Sequence, residues 1–219
     1  MNSQNLMLSG SNVRIKVPKI ALMPLDRADG DLKVVLLDAF DQLMQQKEAK
    51  TVENSAGPNR RSSSSKHYNQ RKSVISSVIK FYPEAGALFL RETVQFKKSY
   101  GLELIKALSL VLSDKSCSLM VQGIELGKNA GIEDEEVMLL TENLVTLSKK
   151  GNLKTLKHLS LSSIGAGASS ICSLIKALPQ INLLKSLDLS NNALPFFCVD
   201  QLINSLKIIE DASQSQKPS

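Results

Sequence analysis

Residues 156–166 read LKHLSLSSIGA and residues 184–194 read LKSLDLSNNAL, and this echo constrains the fold more than any other feature of the chain. Leu156, Leu159 and Leu161 recur as Leu184, Leu187 and Leu189. The apolar positions that follow, Ile171, Leu174, Ile175 and Leu178, recur as Val199, Leu202, Ile203 and Leu206, so all seven pairs keep one offset of 28. A fixed period in this range marks units that stack. The spacing changes character inside each unit. Leu159 and Leu161 have the two-residue period of a strand, whereas Ile171, Leu174, Ile175 and Leu178 lie on one helical face. Each unit is therefore expected to be a strand, a turn and a helix. Neither element can bury its apolar face alone, so neighbouring units must lay their strands side by side and their helices over one face.

Two looser copies precede the pair. VQGIELGKNAGIEDEEVMLLTENLVTL sets Val121, Ile124 and Leu126 in a strand, Asn129 in the turn, and Val137, Leu140, Leu144 and Leu147 in a long helix. GALFLRETVQFKKSYGLELIKALSLVL sets Leu88 and Leu90 in a strand, with Leu102, Ile105, Leu108 and either Val111 or Leu112 in a helix. Four units meet the need for at least about three in a stable stack. The pattern LxxLxLxxN, carried by Leu184, Leu187, Leu189 and Asn192 and, with conservative changes, by Val121, Ile124, Leu126 and Asn129, resembles the leucine-rich-repeat family of the ribonuclease-inhibitor-like type. KALSLVLSDKSCSLMVQGIEL and LKHLSLSSIGAGASSICSLIKAL are also similar to the repeats of centrosomal and ciliary leucine-rich-repeat proteins. The resemblance covers about residues 84–209 and implies an α/β class. The expected form is a short leucine-rich-repeat solenoid with parallel strands on a concave face, helices on the convex face and a partly helical N-terminal extension. The family's asparagine position is Ile164 in one unit and Thr93 in another, so those turns are expected to be looser.

The N-terminal third follows another grammar. NVRIKV alternates Val13, Ile15 and Val17 with polar residues, as an edge strand does, and Pro18 interrupts it. From Asp31 onwards Leu32, Val35, Leu36, Ala39, Phe40 and Leu43 make a helical stripe opposite Asp38, Asp41 and Gln42. These features define an extension over residues 1–50. Residues 51–71, TVENSAGPNRRSSSSKHYNQR, have little apolar content and read as a flexible basic, Ser-rich linker. Val74, Ile75, Val78, Ile79 and Tyr82 predict a helix over 72–83 that caps the stack before Pro83. The repeats then occupy 84–209, and the polar stretch 210–219 is expected to be a disordered tail. With no obvious capping helix at that end, the last unit is expected to leave Leu and Ile edges for a partner or a second copy to cover.

The composition narrows the functional classes. Only 4% of residues are aromatic and none is Trp, which argues against a surface working mainly by base stacking. The net charge of +6 favours acidic partners without choosing among protein, nucleic acid and lipid. The three cysteines, Cys117, Cys172 and Cys198, cannot all pair within the chain, and the expectation is that they are reduced and intracellular. No uncharged apolar run approaches the about 20 residues of a membrane span, and the first residues lack a signal-peptide pattern. A cytoplasmic protein is expected, with the cytoskeleton, centrosome, cilium or nucleus as particular settings.

Catalytic chemistry has little to stand on. His67 lies in the linker and His158 in a repeat strand, and neither has neighbours in sequence that read as a nucleophile or metal site. GKNAGIED lacks the glycine spacing and Lys-Ser/Thr of a phosphate loop. The acidic EDEE from Glu133 suits a helix N-terminus through the helix dipole. A non-enzymatic scaffold is expected, which binds a protein partner through its concave sheet or joins a larger assembly with its N-terminal segment as an extra contact, with no membrane, cofactor, metal or small-molecule substrate. Its binding strip would be the residues between the inward leucines: Phe89, Arg91, Gly123, Glu125, Gly127, His158, Ser160, Ser162, Ser186, Asp188 and Ser190. Phe89 beside Arg91 reads as an anchor for a protein partner. The alternative is an anionic polymer, RNA or tubulin tails, held by Arg60, Arg61, Lys66, Arg71 and Lys72 with His67 and Tyr68 among them. Ser63, two residues beyond Arg61, reads as a basic-directed phosphorylation site.

Overall fold

A computed structural model describes residues 32–54, 79–82, 87–90, 100–128, 131–181 and 184–214. The first element is helix α1, Leu32–Asn54. Its expected stripe of Leu32, Val35, Leu36, Ala39, Phe40 and Leu43 is buried throughout. It packs on helix α2, Gly101–Ser113, whose Leu104, Ile105, Ala107, Leu108, Val111 and Leu112 form the complementary buried face. A fully buried side chain of this size contributes about 1.5–3 kcal/mol relative to an exposed one, so the seam is a principal source of stability. The Phe40 and Tyr100 rings meet edge to face at 6.2 Å. Lys47 reaches Glu103 at 3.0 Å. Asp41, expected on the solvent side, is buried in this layer.

Strands β1, Ile79–Tyr82, and β2, Ala87–Leu90, form an antiparallel pair. The expected capping helix over 72–83 is therefore corrected at its C-terminal half. IKFY is β-branched and aromatic, which suits a sheet edge, and Pro83 ends it. It is α1 that covers α2, the first helix after this strand pair. Helix α1 also continues through Asn54, into the stretch read as a linker. The expected strand at 13–17 and the remainder of the linker lie outside the described residues.

Beyond α2 come helix α3, Lys115–Met120, strand β3, Gly123–Glu125, and helix α4, Asp134–Lys149. Strand β4, His158–Ser160, and helix α5, Ala168–Ala177, follow, then a 3-10 turn over Leu178–Gln180, strand β5, Ser186–Asp188, and helix α6, Phe196–Gln214. The sheet runs β1-β2-β3-β4-β5, and β2 through β5 are mutually parallel. The echo sets the register: Leu88 aligns with Ile124, Ile124 with Leu159, and Leu159 with Leu187.

The expected leucine-rich-repeat solenoid is nevertheless overturned, because the described residues are mostly helical. Among the described residues the helices run to 23, 13, 6, 16, 10 and 19 residues, while the strands have three or four and their sheet stays open. Each Leu-x-Leu pair fixes only a few ladder positions. The longer apolar stripes that follow bury far more surface and draw the intervening chain into helix. Helix α6 also takes up residues 210–214, part of the expected disordered tail.

Side chains tie the layers together. Asn152 donates from Nδ2 to the carbonyl oxygens of Ser113 at 2.7 Å and Leu112 at 3.4 Å, satisfying the end of α2. Thr155 donates to the carbonyls of Ser118 and Val121 at 2.8 and 2.9 Å. The acidic run does sit in the first turn of α4, where the Glu133 N–H donates to Glu136. Asp134 does more: it accepts from the Gly167 N–H at 2.7 Å and the Ser170 hydroxyl at 2.5 Å, and so caps α5 from the neighbouring helix. The sulfurs of Cys172 and Cys198 are bonded, joining α5 to α6, which corrects the expectation of three reduced thiols. Cys117 alone is free and buried.

Candidate binding face

Leu159 and Ile124 turn into the helical layer and are buried, so the alternate residues of these strands lie on the opposite face. Register sets Gly123 beside His158 and His158 beside Ser186 in one row. A second row runs from Phe89 through Glu125 and Ser160 to Asp188. The structure thus brings these strip residues together. His158 and Ser186 are exposed, while Glu125, Ser160 and Asp188 are half-buried. Arg91, read beside Phe89 as an anchor, lies outside the described residues. So do Arg60, Arg61, Ser63, Lys66, Arg71 and Lys72.

At the C-terminal ends of the strands the strip becomes a small hydrogen-bonded cluster. Asp188 accepts from the Ser190 N–H at 2.9 Å through Oδ1 and from the Ser160 hydroxyl at 3.3 Å through Oδ2. The Ser160 and Ser162 hydroxyls are 3.5 Å apart. The Ser190 N–H, aided by the hydroxyls of Ser190, Ser160 and Ser162, holds the Asp188 carboxyl below its ordinary value against a smaller opposing effect of burial. The cluster is a fixed negative site with hydroxyl donors beside it. Gly127 has a tight place here, because a Cβ on it would meet Ser162 Oγ at 2.6 Å.

The turns leaving the strands share one backbone device. Lys128, Ser163 and Asn191 have φ of 58°, 54° and 57°, a left-handed conformation at the same place in three units. Asn192 then bridges two of those turns. Its Nδ2 donates to the carbonyl of Leu161 at 2.7 Å and that of Leu189 at 3.0 Å, and its Oδ1 accepts from the Ile164 N–H at 3.2 Å. The turn at Ile164, expected to be looser for want of its own asparagine, is held by the asparagine of the next unit. Thr93 and Asn129 lie outside the described residues.

Among the described residues no three His, Cys, Asp or Glu side chains gather as a metal-binding group. No helix among them is long and apolar enough to cross a membrane. The most conspicuous surface that strand-spacing arguments miss is on α6, where Phe196, Phe197, Val199, Ile203, Leu206 and Ile208 are exposed. The chain matches no protein-family model, and a search of curated proteins also gives no match.

Proposed function

We propose that the chain is a non-catalytic protein-interaction module that receives a protein partner on the open face of its sheet. The observation that carries this reading is the row Glu125, Ser160 and Asp188, held in register on the face away from the buried leucines, with the Asp188 carboxyl held in place by the Ser190 N–H and the Ser160 hydroxyl. Backbone register places Phe89 at the end of the same row. A partner offering a basic or hydrogen-bond-donating side chain to Asp188 fits these features. The likeness of the quoted segments to centrosomal and ciliary repeat proteins favours the cytoplasm, and the cytoskeleton within it, as the setting, whereas the Cys172–Cys198 disulfide is a bond that the reducing cytoplasm disfavours.

Affinity capture from a cell extract at low and high salt, followed by mass spectrometry, tests the reading. Phe89→Ala combined with Asp188→Lys is expected to lose a defined set of proteins that wild type retains at high salt, with an unchanged circular dichroism spectrum. Ser186→Glu, at an exposed position in the other row, provides a second variant that leaves the Asp188 cluster intact. An unchanged protein set with both variants would refute the sheet face as the binding site. RNA or tubulin released by salt would instead assign binding to the basic segment.

A further inference from the structure

The last strand–helix unit exposes what the unit before it buries. Ile171, Leu174, Ile175 and Leu178 are 0%, 0%, 1% and 4% exposed. Three of their counterparts 28 residues later, Val199, Ile203 and Leu206, are 41%, 46% and 53% exposed, and Phe196 one turn earlier is 80% exposed. In the same unit, β5 pairs with β4 on one edge only among the described residues. A strand edge without a described partner and an apolar helix face in one unit make a template for another strand and another helix. We propose that a second copy of this chain supplies both, so that two molecules join end to end through α6 and β5.

The sequence of α6 is complementary to itself in one direction. Phe196, Val199, Ile203 and Leu206 follow the alternating three- and four-residue spacing of a coiled-coil seam. Against an antiparallel copy, Phe196 of each helix meets Leu206 of the other, and Val199 meets Ile203, so every layer is apolar. Asp200 and Lys207 are both exposed and flank the seam seven residues apart. In the antiparallel arrangement each Asp200 meets the other copy's Lys207, giving two ion pairs. In a parallel arrangement these flanking positions would instead meet Leu202 and Ile209. A two-fold axis normal to the sheet makes the two α6 helices antiparallel on the same side and continues the sheet through antiparallel β5 strands. A register centred on Leu187 places Ser186 against Asp188 of the other copy and keeps the two Asp188 carboxylates apart. Such a self-complementary patch is what a two-fold interface requires. The four seam residues offer on the order of 400 Å² per copy; with the strand edge and polar rim, the total reaches the roughly 1,000 Å² of a specific interface.

The test is sedimentation equilibrium of the full chain, with the Cys172–Cys198 disulfide intact, across a concentration range that reaches about 100 μM. The chain mass is 23.9 kDa, and a reversible species of twice that mass is expected. Ile203→Asp should leave the circular dichroism spectrum unchanged, because its side chain is exposed, and give a monomer at every concentration. Lys207→Asp should weaken association roughly tenfold by turning both ion pairs repulsive, and Asp200→Lys added to it should restore most of that loss. A wild-type chain that stays monomeric overturns the proposal, as does a dimer indifferent to Ile203→Asp. Failure of the double charge reversal to restore association overturns the antiparallel register and the proposal with it.

Discussion

Replacing Asn192 by alanine tests whether the turns of the last two units are held by one side chain. Asn192 makes four hydrogen bonds to main-chain groups, three as donor, to Leu161, Leu189 and at 3.4 Å Ser190, and one as acceptor from Ile164. Ile164 is buried, so its N–H would have little access to water once the amide is gone. At about 1 kcal/mol for each of the three shorter bonds, with about 1 kcal/mol more for the stranded N–H, Asn192→Ala should cost about 4 kcal/mol. For a domain of this size that is a fall in Tm of about 8–16 °C. Urea denaturation followed by circular dichroism supplies the free energy, and calorimetry supplies the Tm. Asn191→Gly is the control. Asn191 has φ of 57° and is exposed, so glycine there should change stability by no more than about 0.5 kcal/mol. Asn192→Asp keeps the acceptor for Ile164 but sets a carboxylate against two carbonyl oxygens, and should be at least as damaging as alanine at neutral pH. A cost below about 0.5 kcal/mol for Asn192→Ala would refute the bridging role and assign those backbone groups to solvent.

Three further perturbations probe other parts of the fold. Asp134→Ala removes the carboxylate that caps α5 and should destabilise by about 1–2 kcal/mol, whereas Glu135→Ala, on the exposed side of the same turn, should be close to neutral. Equal effects of the two substitutions would reduce Asp134 to a general dipole contribution. Gly101→Ala should cost about 3 kcal/mol or prevent folding, because the added Cβ would meet the Gly131 carbonyl oxygen head-on, and a stable variant of wild-type Tm would show that α2 and the turn at Gly131 move apart easily. For Cys117, burial and then the Asp114 carboxylate push the thiol from 9.0 up to about 11. The folded thiol pKa lies above the unfolded one, so its contribution to stability is complete below about pH 9 and is lost as the pH rises through 11. Denaturation curves of wild type and Cys117→Ala should therefore diverge between pH 9 and 11, and parallel curves across that window would contradict the shift.

The strand registers were legible because a period of two leaves few alternatives. Leu159 and Leu187 are the inward members of two triplets, and a one-residue slip would have sent both to the open face. The helical stripe of α1 was legible for a similar reason, since Leu32, Leu36, Phe40 and Leu43 tolerate only one buried side. The balance between helix and strand was not legible. Leucine suits both states, and the spacing marks where an extended segment sits without saying how few residues it keeps. Residues 79–82 failed differently: Val74, Ile75, Val78, Ile79 and Tyr82 fit a helical face, but Ile79 and Phe81 also alternate, and pairing with β2 decided the outcome. The carboxylate of Asp134 reaching Gly167 had no local signal at all, because the two residues are 33 apart and only the packing of α4 on α5 brings them together.

The candidate face and the end of the stack divide along the same line. Strand alternation selected Glu125, His158, Ser160, Ser186 and Asp188, and those residues do share two rows. Alternation carries no information on how their polar groups join, and the Asp188–Ser190 contact depends on the turn that follows the strand. The helical half of the echo is more instructive. Ile171 and Val199 occupy the same position in the repeated pattern, yet one is fully buried and the other 41% exposed. Sequence spacing reports which surface a unit is able to bury; whether that surface is buried depends on the next layer. At α5 the next layer is α6. At α6 the same spacing continues, with Asp200 and Lys207 placed to favour an antiparallel neighbour. A substitution at Ile203 should therefore register in association and leave folding alone, while the equivalent change at Ile175 should unfold the chain, and the contrast between two positions with one sequence signature separates an interface from a core.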